Sequence, residues 1–243
     1  MNSRTPVVFL HAFPLNAAMW DAQRAVLGSR TTLAPDFPGF GNRAVGKSNI
    51  DEYARAVLRD MDAAGVERAV VVGLSMGGYV AFRLHALAPD RIAGLVLADT
   101  KAGGDDEETR LRRTDQAAKA RRDGVAWLED ALLPALLGNT TRGRRPEVVA
   151  STRTLIAQAH SEGVARALEA MRARPDSTPQ LPSIRVPALV LVGEEDNLTP
   201  EAEARTIVEG VRDGQLGVIP QAGHLSNLEA PDKFNEVLLS FLE

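Results

Sequence analysis

The chain has 243 residues, 44% hydrophobic and 25% charged, with a formal net charge of −4. That is an ordinary globular balance for a single α/β domain, and it carries no basic footprint for nucleic acid. The chain has no cysteine, which excludes disulfides, thiol catalysis and thiolate metal sites, and no apolar run long enough to span a bilayer. Met1–Thr5 runs directly into an apparent strand, so no signal peptide is expected and a cytoplasmic location is. His11, His85, His160 and His224 lack metal-ligand spacing, so no metal site is expected.

In chain order, Pro6–Leu10 reads as a buried parallel strand with His11-Ala12-Phe13-Pro14 at its carboxyl end. Asn16 is a plausible N-cap for a helix over Ala17–Leu27 that Gly28 ends. Thr31–Ala34 forms a second strand, followed by a turn-rich loop, Pro35 to Gly41, in which Asp36 is expected to satisfy its own turn. Ser48 or Asn49 caps a helix over Ile50–Ala64, with Gly65 as its stop. Tyr53, Ala56, Val57 and Met61 share one face of it, together with the charge of Asp60.

Ala69–Val72 is the third strand. Gly73-Leu74-Ser75-Met76-Gly77 follows as G-x-S-x-G, then a helix over Tyr79–Ala88 that carries His85, expected to be partly exposed. Strand, tight turn and helix are the setting that a nucleophile elbow requires. The glycines suit it mechanically, because a Cβ at either end of the turn presses on neighbouring backbone. Ile92–Leu97 is the fourth strand, closing on Ala98-Asp99-Thr100.

Strict alternation stops there. Residues 101–183 hold no convincing strand but carry apolar residues at helical spacing, and they read as a helical cap inserted in a core of 1–100 and 184–243. One cap helix starts at Ser161, whose hydroxyl can cap it; His160 precedes it without an evident role. The arginines of this stretch read as a solvated face. Val186–Val192 is the fifth strand, with the exit loop Gly193-Glu194-Glu195-Asp196. A helix follows from Pro200 to Glu209, then a last strand, Gly214–Ile219, with the exit loop Pro220 to His224. A closing amphipathic helix spans Pro231–Leu242.

Three polar residues therefore stand at strand exits in the order Ser75, Asp196, His224. A serine hydroxyl needs a base, and an imidazole titrates near neutrality; a carboxylate then fixes the ring tautomer. Glu194, Glu195 and Asp99 compete with Asp196 for the acid role. The backbone N–H groups of Phe13 and Met76 are the candidate oxyanion donors. His11, Ala12 and Trp127 are candidates for the substrate pocket, with bracing of the loop an alternative for His11 and core packing for Trp127.

These motifs resemble the α/β-hydrolase superfamily over nearly the whole chain: His11-Ala12-Phe13-Pro14, Asp36 to Gly41, Gly73 to Gly78, Gly193 to Asp196 and Ala222-Gly223-His224. Within it the chain is similar to the branch of 3-oxoadipate enol-lactonases and small carboxylesterases. The resemblance implies a mostly parallel, doubly wound sheet with an inserted cap. It also implies an acyl-enzyme mechanism on a small ester or lactone without cofactor or metal. Ser75 is then the nucleophile, His224 the base and Asp196 its orienting acid. C–C bond hydrolases, thioesterases, cofactor-free perhydrolases and ligand-binding signalling members share the same pattern. Ala12 stands where the family usually has glycine, and two family strands before His11 are missing. Six strands are therefore expected, with Thr31–Ala34 at an edge open to pairing, in a monomer or a homodimer.

Overall fold

The apolar runs of the sequence become the strands of one sheet in a computed structural model that describes residues 5–243. Residues 1–4, on which the expectation of no leader rests, lie outside the described residues. The strands are β1 (Val7–Leu10), β2 (Thr32–Leu33), β3 (Ala69–Leu74), β4 (Ile92–Ala98), β5 (Ala188–Gly193) and β6 (Gly214–Ile219). All pair in parallel, in the order β2-β1-β3-β4-β5-β6. The four central strands are buried along nearly their whole length, which is why they are runs of valine and leucine rather than alternating patterns. Burying each such side chain contributes about 1.5–3 kcal/mol. β2 is a two-residue edge strand, as expected.

The helices are α1 (Asp21–Ala25), α2 (Ile50–Ala63), α3 (Met76–Leu87), α4 (Glu107–Asp123), α5 (Leu128–Leu136), α6 (Asn139–Arg144), α7 (Pro146–Ala157), α8 (Ser161–Arg172), α9 (Glu201–Gly210), α10 (Ser226–Glu229) and α11 (Pro231–Leu242). The chain moves from β1 outward to β2, then back across β1 to β3 and onward. Right-handed crossovers in opposite directions put their helices on opposite faces. Accordingly α2 packs against α3, and α1 packs against α11. The reversal lies between β1 and β3, the place where open α/β sheets bind ligands. Helices α4 to α8 are inserted between β4 and β5 as the cap.

Several local readings are corrected. The segment after Asn16 is a 3₁₀ turn, Ala17–Trp20, followed by the short α1, rather than one helix to Leu27. Its first N–H groups are taken by side chains: Ala18 by Asn16, and Ala17 by Asp36 at 2.8 Å. Asp36 thus serves a neighbouring loop rather than its own turn. Asn49, not Ser48, caps α2, accepting from Asp51 N–H at 2.7 Å. α3 begins at Met76, three residues before the expected start at Tyr79, because packing overrides the low helix propensity of Gly77 and Gly78. β5 starts at Ala188, since Pro187 has no N–H to give the ladder. Pro200 caps α9 instead of opening it, and His160 rather than Ser161 is the N-cap of α8.

Charges on apolar faces find partners. Asp60 on α2 takes both Nη atoms of Arg43, at 2.5 and 3.0 Å. His85 is buried, 6% exposed, rather than partly exposed as expected. The cap arginines are not simply a solvated face. Arg113 and Arg174 converge on Asp105, Nε to Oδ2 at 2.5 Å and Nη1 to Oδ1 at 2.7 Å, and the Asp105 side chain has no exposed surface. The Arg174 guanidinium also lies over the Tyr79 ring, 4.0 Å from its centroid. Burial alone would push the Asp105 carboxyl up, but the two guanidiniums hold it below the ordinary carboxylate range. Among the described residues, no helix is long and apolar enough to cross a membrane.

His11, at the end of β1, ties the two loops on the β1 side of the reversal together. Its Nε2 accepts from Phe37 N–H and its Nδ1–H donates to Ala12 O, both at 3.0 Å. Burial pushes this imidazole down to about 4, so the ring is neutral near pH 7.

Two outcomes are expected. Asp105→Ala leaves Arg174 buried without its counter-ion and lowers stability in urea denaturation by about 3–5 kcal/mol. On acidification, the unfolded chain protonates His11 at its ordinary pKa while the folded chain resists until about 4. Folding stability is therefore lost as pH falls from about 6.5 to 4, by about 3 kcal/mol from this residue alone. His11→Gln is less stable at neutral pH, and its stability falls less steeply across that window; parallel curves for the two proteins count against this account.

Candidate active site

The sheet register brings the strand ends to one level. Leu10 pairs with Gly73, Leu74 with Ala98 and Gly193 with Ile219, so the loops after β1, β3, β4, β5 and β6 leave from one edge. Ser75 sits at the turn after β3, as the N-cap of α3, with φ 55° and ψ −112°. A left-handed φ is strained for a residue with a side chain, and the neighbours must give way. A Cβ on Gly73 would collide with the Gly77 carbonyl, and one on Gly77 with the Leu10 carbonyl.

Three side chains from separate exits meet here. Ser75 Oγ lies 2.8 Å from His224 Nε2, and His224 Nδ1 lies 2.8 Å from Asp196 Oδ2. His224 is 3% exposed and Asp196 5% exposed, whereas Ser75 is half-buried. Asp196 is saturated with donors. Its Oδ1 accepts from Leu198 N–H at 2.8 Å and Thr199 N–H at 3.0 Å, and its Oδ2 accepts from the Thr199 hydroxyl at 2.7 Å. Burial alone would push this carboxyl up, but the adjacent His224 and the Thr199 bonds hold it below the ordinary range. An ionised Asp196 makes Nδ1 the protonated nitrogen and leaves Nε2 free to accept from Ser75.

The other three acids do not contact His224. Glu194 accepts from Gln221 N–H at 3.0 Å, and Glu195 accepts from Thr140 of the cap. Asp99, fully buried at φ 45°, accepts from Gly193 N–H at 2.8 Å and from the Ser226 hydroxyl. Burial, with Asp196 nearby, pushes the Asp99 carboxyl well above its usual range.

Met76 N–H opens α3 and Phe13 N–H lies in the loop after β1; among the described residues neither donates to an acceptor. His11 and Ala12 have no exposed surface. Trp127 is half-buried at the corner between α4 and α5, donating to Gly124 O at 2.9 Å beneath the Lys119 ammonium. Thr199, Glu229 and Ser226 escaped the sequence reading. Asp196-x-x-Thr199 spacing was the one available signal, since an Asp often takes N–H groups two and three residues ahead. No group of three or more His, Asp or Glu is placed to hold a metal among the described residues.

Residues 7–237 match the model of the alpha/beta hydrolase family. The chain is 29% identical to 3-oxoadipate enol-lactonase 2 of Acinetobacter baylyi, over 97% of this chain and 87% of that one. Among solved structures it is similar to a thermophilic esterase from Thermogutta terrifontis, with TM-score 0.95 and 37% identity over 98% of this chain and 89% of that one. It is also similar to the enol-lactonase from Burkholderia xenovorans, with TM-score 0.90 and 32% identity over 98% and 91%. The six-stranded parallel sheet with its inserted cap and this match over residues 7–237 have one meaning: the chain belongs to the alpha/beta hydrolase family and is a hydrolase.

Proposed function

We propose that this enzyme is a serine hydrolase that cleaves a small carboxylic ester or lactone through an acyl-enzyme. The observation that carries the reading is the Ser75–His224–Asp196 chain, two contacts of 2.8 Å ending on a serine in a strained turn. Ser75 Oγ attacks the carbonyl carbon as His224 Nε2 takes its proton. Asp196 holds the ring in the Nδ1–H tautomer and stabilises the imidazolium. The tetrahedral oxyanion faces the N–H groups of Phe13 and Met76, the latter at the positive end of α3. His224 protonates the departing alkoxide, then takes a proton from water as its oxygen attacks the acyl-enzyme, and returns that proton to Ser75 Oγ as the acid is released.

His11 acts in this scheme as a brace for the Phe13 loop, not as a substrate contact, because both ring nitrogens are already engaged. The similarity to two enol-lactonases and an esterase supports an oxygen ester as the substrate class. Thioester, C–C and perhydrolysis chemistry begin with the same nucleophile. A panel of aryl esters, lactones, acyl thioesters and vinylogous diketones ranks them by kcat/KM.

A fluorophosphonate probe is expected to label the wild type stoichiometrically and Ser75→Ala not at all. Ester turnover of that variant falls by about 10³- to 10⁶-fold with the melting temperature little changed. Hydrolysis at the wild-type rate by Ser75→Ala rejects the reading. Asp196→Asn is expected to fold and to lose about 10⁴-fold in kcat, because an amide N–H facing Nδ1 favours the wrong tautomer.

A further inference from the structure

The loop that carries His224 is gripped by a carboxylate the mechanism above does not use. Glu229, in α10, is 2% exposed. Its Oε1 accepts from the N–H of Gly223 at 2.9 Å and of Leu225 at 3.2 Å, the two residues that flank His224. Its Oε2 accepts from Gly138 N–H at 2.8 Å, and Gly138 is the N-cap of cap helix α6. One buried carboxylate therefore holds both neighbours of His224 and the start of a cap helix.

The rest of the seam follows the same line. Leu225 N–H is shared with Leu136 O at the end of α5, at 3.1 Å. Arg145 of the cap donates to the Glu229 carbonyl at 2.6 Å. Gly138 and Gly223 touch backbone to backbone, so a Cβ on Gly223 would collide with Gly138 N. The cap thus has no freedom to lift near α6 without pulling on the segment that aims the imidazole. A second acid, Glu195, holds α6 by Thr140 but touches neither neighbour of His224.

The two oxygens of Glu229 between them accept three backbone N–H groups, a set of donors that favours the ionised carboxylate. Burial pushes the Glu229 carboxyl up from its ordinary value, and those N–H groups oppose the shift. Such a group is costly to place in the interior, and generic stabilisation of a loop is achieved more cheaply by apolar packing.

We propose that Glu229 is the positioning residue of His224, locking the base in register with Ser75 and coupling that register to the seating of the cap through Gly138. This rests on the reading of His224 as the general base. A displacement of the base by a fraction of an ångström is felt in the chemical step more than in substrate binding.

The test compares wild type, Glu229→Gln and Thr140→Val on p-nitrophenyl acetate, at a temperature where circular dichroism shows each folded. Glu229→Gln keeps the size but turns an N–H₂ donor toward N–H groups. Its kcat is expected to fall by about 10- to 100-fold with KM changed less than about twofold. Fluorophosphonate labelling of Ser75 slows by the same factor, and the His224 ring resonances shift. Thr140→Val loosens the cap from Glu195 alone and leaves kcat within about twofold, since it leaves the neighbours of His224 untouched. A folded Glu229→Gln with wild-type kcat and unshifted His224 resonances overturns the proposal, even though Ser75 labels normally. If wild type neither labels nor turns over the ester, the serine reading fails, and the His224 resonances alone decide this one. Should Glu229→Gln not fold, amide exchange on the wild type decides. The N–H groups of Gly138, Gly223 and Leu225 are expected to be protected and to open together; exchange of Gly223 and Leu225 at free-loop rates overturns the proposal.

Discussion

The hydrogen bond from Ser75 to His224 Nε2 joins two residues 149 positions apart in the chain, and nothing local produces it. It exists because parallel strands in register end at one edge, and because the turn at Ser75 is too tight for any side chain on its glycine neighbours. The left-handed backbone of Ser75 is the cost; the packed strand ends of β1 and β3 hold it there. Loosening that edge by a fraction of an ångström would leave a polar group at a strand exit but no chain of bonds.

Around that contact the molecule sorts its buried acids by what each one faces. Asp196 faces an imidazole and three donors and stays ionised. Asp99, a few residues away in space at the next strand exit, faces a hydroxyl and one N–H, with another acid nearby, and its carboxyl is pushed up. Asp105 faces two guanidiniums and is pushed down. The same residue type takes different protonation behaviour from donors that sequence does not list beside it.

The cap belongs to this arrangement rather than resting on it. Helix α6 and the residues that flank it bond directly to the segments after β5 and β6, through Glu195, Glu229, Leu225 and Gln221. Within the cap α8 packs along α4, where Arg121 reaches both Glu162 and Glu169, and Glu169 in turn accepts from the Ser48 hydroxyl of the core at 2.6 Å. Cap and core therefore share polar bonds that form at short range, a connection stiffer than apolar contact alone because each bond has a required direction.

Much of the framework was legible in the chain. Runs such as Val70-Val71-Val72 have only one comfortable home, a strand buried on both faces, and Gly73-x-Ser75-x-Gly77 after such a run implies the elbow. The closing helix Pro231–Leu242 and the cap of Asn16 on Ala18 follow from side-chain period and local hydrogen bonding, which act within a few residues. Boundaries slipped where a distant contact outweighed propensity, as at Gly77 and Gly78 in α3, or where an amide was claimed from afar, as Ala17 by Asp36. The order Ser75, Asp196, His224 already singled out Asp196 in the sequence against Asp99, Glu194 and Glu195, and the folded chain places it 2.8 Å from His224 Nδ1. By contrast, Arg174 read as surface charge and proved to be buried on Asp105, and Glu229 carried no signal at all. Periodicity and turn chemistry are short-range properties written in the residue order, whereas the choice of partner for a buried charge depends on which donors the finished fold carries to it from distant parts of the chain.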